Sequence, residues 1–133
     1  MKSPRTSKNL LVTALLIPLL CSLSGCIYLV VGGIGAVGGY IVSPDTVEGI
    51  TGEEASVTWD TAVETISIMG LIEEENEAGG MILASVNGAQ ITITIIKLSE
   101  SSTKVTVKAR KAYLPKISIA QDIFVKIMSR VNE

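Results

Sequence analysis

Hydrophobic and polar positions alternate along the second half of the chain with the period of a β-hairpin. Asn87-Gly88 lies between two apolar runs, and both residues tolerate the positive φ of a type I′ turn. Pairing Val86 with Ala89 fixes which side chains share a face. One face then carries Ile82, Ala84, Ile91, Ile93 and Ile95, and the other carries Ser85, Gln90, Thr92 and Thr94. We therefore predict a hairpin with one buried face.

Shorter patterns predict further strands on both sides of this hairpin. Val47 to Thr51 reads as a short strand, and Leu71-Ile72 begins a strand that runs into an acidic turn, Glu73 to Glu77. A second hairpin through Ser99 to Ser102 leads into a strand from Thr103 to Ala109, with Val105 and Val107 inward. A loop from Arg110 to Lys116 follows.

Two amphipathic helices are predicted from apolar residues that recur with helical spacing. In the first they are Trp59, Val63, Ile66 and Met69; in the second they are Ile119, Ile123, Ile127 and Val131, with Phe124 and Met128 alongside. Ser56 or Thr58 is expected to cap the first helix and Gly70 to end it. Ser118 and Gln121 fit a capping box at the start of the second helix.

The order of these elements is strand, helix, four strands, helix. An antiparallel sheet with one buried face and two helices on that face buries all of the apolar stripes. The prediction for residues 45–133 is thus an α+β two-layer sandwich whose sheet has about four to five strands.

The N-terminal region has a different pattern, with 36 consecutive residues between Lys8 and Asp45 that carry no charged side chain. Its first part has Lys2, Arg5 and Lys8, then an apolar run from Leu10 to Leu20, then the small polar residues Cys21, Ser22 and Ser24. This order is typical of a secretory signal peptide. An apolar run of 11 residues is too short to span a bilayer.

Leu23-Ser24-Gly25-Cys26 resembles the lipobox of bacterial lipoproteins. The resemblance implies cleavage after Gly25, a diacylglyceryl group in thioether linkage to Cys26, and an N-acyl chain such as palmitate. Ile27, which stands where an Asp retains enterobacterial lipoproteins in the inner membrane, favours the outer membrane. The alternative is a disulfide between Cys21 and Cys26, which would require that Cys21 is not removed with the signal.

Residues 27–42 form an apolar, glycine-rich segment. Gly33, Gly35 and Gly38 match the glycines of a dinucleotide-binding fingerprint, but Ser43-Pro44 stops the long helix that this fingerprint needs. Two interpretations remain open: a flexible tether, or a membrane-associated helix too short to span. As a helix, the segment would have a face of small residues through which copies could associate in lipid.

Composition excludes several functional classes. The chain has 133 residues and no histidine, which excludes histidine-containing triads and zinc sites. Its net charge of −2 gives no sign of a nucleic-acid partner. The chain is 47% hydrophobic overall, and hydrophobic residues are denser before Asp45 than after it. Neither a Ser-x-x-Lys nor a Gly-x-Ser-x-Gly signature occurs, and we predict no catalytic residue, metal or cofactor.

Charges are segregated along the predicted domain. Ten acids and no base lie between Asp45 and Glu77, whereas all eight bases after Lys8 lie from Lys97 onward, so adjacent strands could pair them. The acidic run Glu73 to Glu77 could offer oxygens to Ca²⁺, but it lacks the EF-hand spacing, which favours a solvated turn. Arg110, Lys111 and Lys116 around Tyr113 could face lipid headgroups or an acidic partner, or form a solvated loop.

The stretches Trp59 to Gly70, Leu71-Ile72-Glu73 and Gly80-Met81-Ile82 resemble the opening of small bacterial lipoprotein domains of unknown function. More distantly, they are similar to the helix-grip domains of the BamC lipoprotein of the outer-membrane assembly machinery. The resemblance implies a fold and a location, and it transfers no active site.

The predicted organisation is a signal peptide (1–25), a lipidated cysteine with the glycine-rich segment (26–44) and a periplasmic domain (45–133). The expected function is a non-enzymatic, lipid-anchored envelope protein that binds or scaffolds a protein partner. An alternative is a lipid-binding module whose cavity, lined by Ile82, Ile91, Ile93 and Phe124, encloses an acyl chain. A hydrolase would instead require Glu and Lys side chains that converge in a cleft.

Overall fold

The computed structural model describes Val12 and residues 37–133. Gly25, Cys26 and most of the signal and glycine-rich segments lie outside the described residues, so the predictions for them stay predictions. Within the described part of the chain, no helix combines the length and the apolar character that crossing a bilayer requires.

Seven strands and two helices follow one another between Gly39 and Val131. The strands are β1 (Gly39–Ser43), β2 (Thr46–Thr51), β3 (Leu71–Asn76), β4 (Met81–Val86), β5 (Ala89–Ser99), β6 (Ser102–Lys111) and β7 (Leu114–Pro115). The helices are α1 (Ala55–Met69) and α2 (Ile117–Val131). All neighbouring strands are antiparallel, in the order β1-β2-β6-β5-β4-β3, and β7 pairs with β6 beyond the end of β2. The predicted α+β class is confirmed, and the sheet is larger than predicted.

The hairpin around Asn87-Gly88 forms as predicted. Val86 pairs with Ala89, and Asn87 and Gly88 have φ angles of 51° and 74°. In this register Ile82 lies opposite Ile93, and both are fully buried. The alternation of side chains across the pleat therefore sets the core face of the sheet.

Both helices cover that face. From α2, Ile123, Phe124, Ile127 and Met128 are fully buried and join one core with the inward residues of β2, β4, β5 and β6. Burying an aliphatic or aromatic side chain of this size contributes about 1.5–3 kcal/mol, so this stripe is a main source of stability. In α1 the buried apolar residues are Trp59, Ala62 and Ile66, while Val63 and Met69 are only partly buried.

The predicted helix starts are wrong. α1 begins after Glu54, so Ser56 and Thr58 lie inside its first turns, and the Thr58 hydroxyl donates to the Glu54 carbonyl at 2.9 Å. α2 begins directly after β7, with Lys116 at the cap position and no side-chain cap. The predicted end of α1 is confirmed, because the Gly70 N–H donates to the Ile66 carbonyl at 2.9 Å.

Three segments differ from their predicted structure. Glu73 to Asn76 of the acidic run form the second half of β3, an edge strand whose carboxylates are exposed, and Glu77 begins the turn after it. The predicted loop Arg110 to Lys116 is the end of β6, a tight turn with positive φ at Ala112 and Tyr113, and β7. The end of the glycine-rich segment is β1, which pairs with β2, so the sheet begins at Gly39 and not after Asp45.

Candidate functional site

A buried carboxylate lies in the turn between β1 and β2. Asp45 is 5% exposed and accepts hydrogen bonds from the Ser43 hydroxyl (2.7 Å), the Thr46 hydroxyl (2.7 Å) and Nε of Arg110. Lys108 Nζ lies 4.0 Å from the same carboxylate. The hydrogen bonds from Ser43, Thr46 and Arg110 outweigh desolvation and hold the pKa of Asp45 well below its ordinary value. The carboxylate is therefore ionised at neutral pH and fixes the turn to β6.

A second carboxylate lies on the face of the sheet that points away from the helices, which we call the open face. Glu48 Oε1 accepts a 2.7 Å hydrogen bond from the Tyr40 hydroxyl, and Oε2 accepts one of 3.2 Å from Thr106. Lys104 Nζ is 3.8 Å from Oε1. The hydrogen bond from Tyr40 is the largest cause that lowers the pKa of Glu48, and the same bond raises the pKa of Tyr40.

These two carboxylates hold neighbouring strands together, and neither has the pKa of a general acid at neutral pH. A general acid needs a carboxyl whose pKa is raised towards the working pH, whereas Asp45 and Glu48 have lowered pKa values. Each already accepts hydrogen bonds from neighbouring strands. Together they join β1, β2 and β6, and they leave Lys108 and Arg110 about half exposed on the same sheet.

A row of short polar side chains crosses the open face next to this pair. Glu48 lies opposite Thr106, and Thr106 lies opposite Thr94, so β2, β6 and β5 each contribute one position. Thr92 and Thr94 are partly exposed on β5. Hydroxyls and basic groups on one pleated surface can donate and accept hydrogen bonds towards a protein partner.

The outer edge of β1 is apolar. Tyr40, Ile41 and Val42, which we call the apolar edge, are 53%, 43% and 55% exposed. Among residues 37–133, β1 pairs with β2 and with no other strand. An exposed strand edge offers unpaired N–H and C=O groups to another strand.

A shallow depression of about 230 Å³ lies between the two helices. It is lined by Thr65, Ile68, Met69, Lys126, Ser129 and Arg130. Within the described residues, the Thr65 hydroxyl is buried without a hydrogen-bond partner. The two cations are already engaged, Lys126 with Asp122 at 2.9 Å and Arg130 with Glu64 at 3.6 Å.

The basic residues predicted to surround Tyr113 do not converge there. Arg110 is paired with Asp45, while Lys111 Nζ donates to the Asn87 carbonyl at 3.0 Å. Lys116 immediately precedes α2. Tyr113 stands alone at the tip of its turn and is 93% exposed.

The acidic run does not form a cluster of ligands. Side chains of a strand point alternately to its two faces, and Glu73 to Asn76 are in β3. Across residues 37–133, no three acidic or thiol side chains are grouped where a metal ion could be held.

The residues predicted to line an acyl cavity are part of the core. Ile82, Ile91, Ile93 and Phe124 are each at most 1% exposed and belong to one cluster of buried side chains. Packing of these four side chains in the core counts against an acyl cavity at this position, and the lipid-binding alternative stays a prediction.

No protein-family model and no curated protein matches the chain. Among solved structures, it is similar to the di-domain ARO/CYC StfQ from the steffimycin biosynthetic pathway, with 10% sequence identity and a TM-score of 0.49. The match covers 65% of this chain and 42% of that one, so the chain spans less than half the length of that structure. At this identity and TM-score, the similarity carries no argument about function.

Proposed function

We propose that this protein is a non-enzymatic lipoprotein of the bacterial envelope, anchored to the outer membrane and facing the periplasm, where its domain binds or scaffolds a protein partner. The observation that carries the proposal is the position of the lipobox cysteine. Cys26 follows a signal-like segment, and only 12 residues separate it from the first strand at Gly39. A chain of that length reaches at most about 45 Å, so an anchor at Cys26 keeps the domain close to the membrane.

The geometry of the open face supports a binding role over catalysis. Glu48 on this face and Asp45 in the adjoining turn are ionised. Glu48 already accepts hydrogen bonds from Tyr40 and Thr106, and Asp45 accepts them from Ser43, Thr46 and Arg110. The remaining surface there carries hydroxyl and basic side chains, together with the exposed Ile50 and Ile96 on either side of Lys104. Such a surface suits a partner that adds its own acidic or hydrogen-bonding groups.

Mass spectrometry of the protein from bacterial membranes tests the anchor. We expect an N-terminus at Cys26 that carries a diacylglyceryl group and an acyl chain. Cys26→Ala should accumulate as the unprocessed, unacylated precursor. Cys21→Ser is the matched control, because Cys21 leaves with the signal, and it should give the same mature mass as the wild type. An unmodified Cys26, or an N-terminus elsewhere, would overturn the proposal.

Site-specific photocrosslinking in intact cells tests the partner. A crosslinker at Thr94 or Thr106 on the open face should capture a discrete protein, whereas one at Asp60, on the exposed side of α1, should not. Equal crosslinking from both surfaces would contradict a binding role for the open face.

A further inference from the structure

The turn between β6 and β7 has a backbone that its residues rarely adopt. It is a two-residue turn, since Lys111 pairs with Leu114, and Ala112 and Tyr113 have φ angles of 48° and 66°. Side chains other than those of Asn and Asp seldom enter this left-handed region, and Gly enters it freely. The corresponding turn between β4 and β5 uses Asn87-Gly88, which suits it. The β6–β7 turn therefore places an alanine and a tyrosine where the backbone favours neither.

The described part of the domain does not bury the side chains that this turn carries. Tyr113 is 93% exposed and Leu114 is 63% exposed. Within residues 37–133, neither belongs to the hydrophobic core or packs against it. Residues held in sparsely populated backbone regions cluster at functional sites, where binding compensates for the strain. A surface that takes up Tyr113 and Leu114 would supply that compensation.

Positive charge flanks the turn without touching Tyr113. Residues 101–121 contain five basic side chains and no acidic one. Lys111, directly before the turn, donates to a neutral group, the Asn87 carbonyl, at 3.0 Å. Among residues 37–133, neither Lys111 nor Lys116 forms an ion pair. The turn thus has an uncompensated positive charge on each side, although the chain as a whole is acidic.

We propose that this turn, which we call the basic tip (Lys111, Tyr113, Leu114 and Lys116), docks on the anionic phospholipid surface of the membrane that carries the anchor. Tyrosine is enriched at the depth of the headgroups, and the leucine beside it can enter the same layer. The two lysines can lay their aliphatic stems along that layer and place their ammonium groups among lipid phosphates. An acidic protein would also satisfy the charges, but it would need a pocket for the protruding side chains, which a fluid headgroup layer does not.

The anchor leaves this contact within reach. Gly39 pairs with Gly49, which pairs with Val105, so the chain joins the sheet six residues along β6 from Lys111. That separation is about 20 Å along the strand. The 12 residues between Cys26 and Gly39 span up to about 45 Å. The nearness of the membrane rests on the proposed function, whereas the charges and the conformation of the turn do not depend on it.

A fluorescent probe on one introduced cysteine tests the contact. The full chain is reconstituted in vesicles of phosphatidylethanolamine and phosphatidylglycerol that contain a lipid with a nitroxide on its headgroup. A probe at Leu114→Cys should lose most of its fluorescence to the nitroxide. A probe at Leu98→Cys, which replaces a half-exposed leucine at the opposite end of the sheet, should keep it. Equal quenching at the two positions would overturn the docking.

The chain without an introduced cysteine is labelled in parallel. If Cys26 is acylated, this sample takes up no probe. Uptake would show that the anchor proposal fails. The difference between Leu114→Cys and Leu98→Cys, after subtraction of this background, would still test the docking.

Neutralisation of the flanking lysines tests the electrostatic part. Lys111→Gln with Lys116→Gln should lower the ratio of docked to undocked domain at least about tenfold, because each base near an anionic surface strengthens binding. Lys97→Gln with Lys126→Gln is the matched control, since it removes the same charge from two lysines that are ion-paired elsewhere. An equal effect of the two double variants would overturn the role of the basic tip.

Replacement of the turn residues separates docking from folding. Ala112→Asn with Tyr113→Gly suits the left-handed turn, so we expect a higher melting temperature together with loss of quenching at Leu114→Cys. A lower melting temperature would contradict the strained turn, and quenching that persists would overturn the role of Tyr113. A photocrosslinker at Tyr113 that captures an acidic protein in cells, with no quenching in vesicles, would replace the membrane by a protein partner and overturn the proposal.

Discussion

Nε of Arg110 donates a hydrogen bond to the carboxylate of Asp45, which precedes it by 65 residues. The bond joins the turn between the first two strands to the far end of β6. Asp45 is buried there, and its carboxylate has partners from both sides of the turn as well as from β6. The stability of the edge hairpin is thus tied to the charge of one carboxylate.

Removal of that charge should destabilise the domain. We expect Asp45→Asn to lower the free energy of unfolding by about 1–3 kcal/mol at pH 7, the usual cost of leaving buried donors poorly paired. Asp60→Asn, on the exposed side of α1, should change it by less than about 0.5 kcal/mol. Urea denaturation followed by circular dichroism measures both. Equal stability of the two variants would show that the Asp45 carboxylate contributes nothing.

The same carboxylate should make stability depend on pH in the acid range. The folded-state pKa of Asp45 lies below its ordinary value of about 3.9. Its stabilising contribution is therefore fully present above pH 4 or so and is lost as the pH falls towards the folded-state pKa. The stability difference between wild type and Asp45→Asn should shrink below about pH 4. A difference that is constant from pH 7 to pH 3 would contradict this origin.

Gly49 should not tolerate a side chain. A Cβ at this position would lie 2.5 Å from the Phe124 ring and 2.8 Å from the Gly38 carbonyl oxygen, inside the core. Gly49→Ala should cost about 1–3 kcal/mol, because Phe124 and the backbone of β1 must both shift. At Gly52 a Cβ meets nothing within 4 Å, so Gly52→Ala is the matched control. Thermal melts of the two variants should differ clearly, and similar melting temperatures would show that Phe124 has room to move.

Truncation of Ile93 distinguishes a filled core from a lipid cavity. Ile93→Ala should cost about 2–5 kcal/mol if the side chain fills a packed interior. Ile68→Ala removes the same atoms from a side chain that is 67% exposed and should cost less than about 1 kcal/mol. Chemical denaturation gives both values. A small effect at Ile93, together with acyl chains that copurify with the protein, would favour the lipid-binding alternative.

The glutamates of β3 should protect that edge from association. Replacement of Glu73, Glu74 and Glu75 with valine makes the edge apolar, and light scattering should detect faster aggregation. Replacement of Glu53, Asp60 and Glu64 with their amides changes the net charge equally without altering an edge. If both triple variants aggregate alike, net charge and not edge protection is responsible.

The local features of this fold could be predicted because a few neighbouring residues determine them. Asn87-Gly88 requires a tight turn, and the pairing of Val86 with Ala89 then follows from the pleat alone. The apolar stripe of α2 was also predicted, since its spacing leaves one face to bury. The helix starts could not be predicted in the same way. Where each helix begins depends on where the preceding strand, β2 or β7, ends and not on the capping residues.

Features that depend on distant strands could not be predicted. Glu73 to Glu75 suggest a turn when read alone, and they form a strand because β4 supplies an edge to pair with. For the same reason, residues 39–42 resemble part of an apolar linker when considered alone. Their own sequence does not indicate that they pair with β2. The segregation of acids and bases indicated pairing between strands, but the pairing of Asp45 with Arg110 required β2 and β6 to be neighbours.

The chain joins the sheet at Gly39, so a force applied from the N-terminal side reaches the sheet there. Tension along this path acts first on Val37, which packs against the core, and then on the pair of Gly39 with Gly49, from where it would peel β1 away from β2 one residue at a time. At the end of that path lies Asp45, held by Ser43, Thr46 and Arg110. A force applied from the N-terminal side would therefore meet these three hydrogen bonds after β1 has separated from β2.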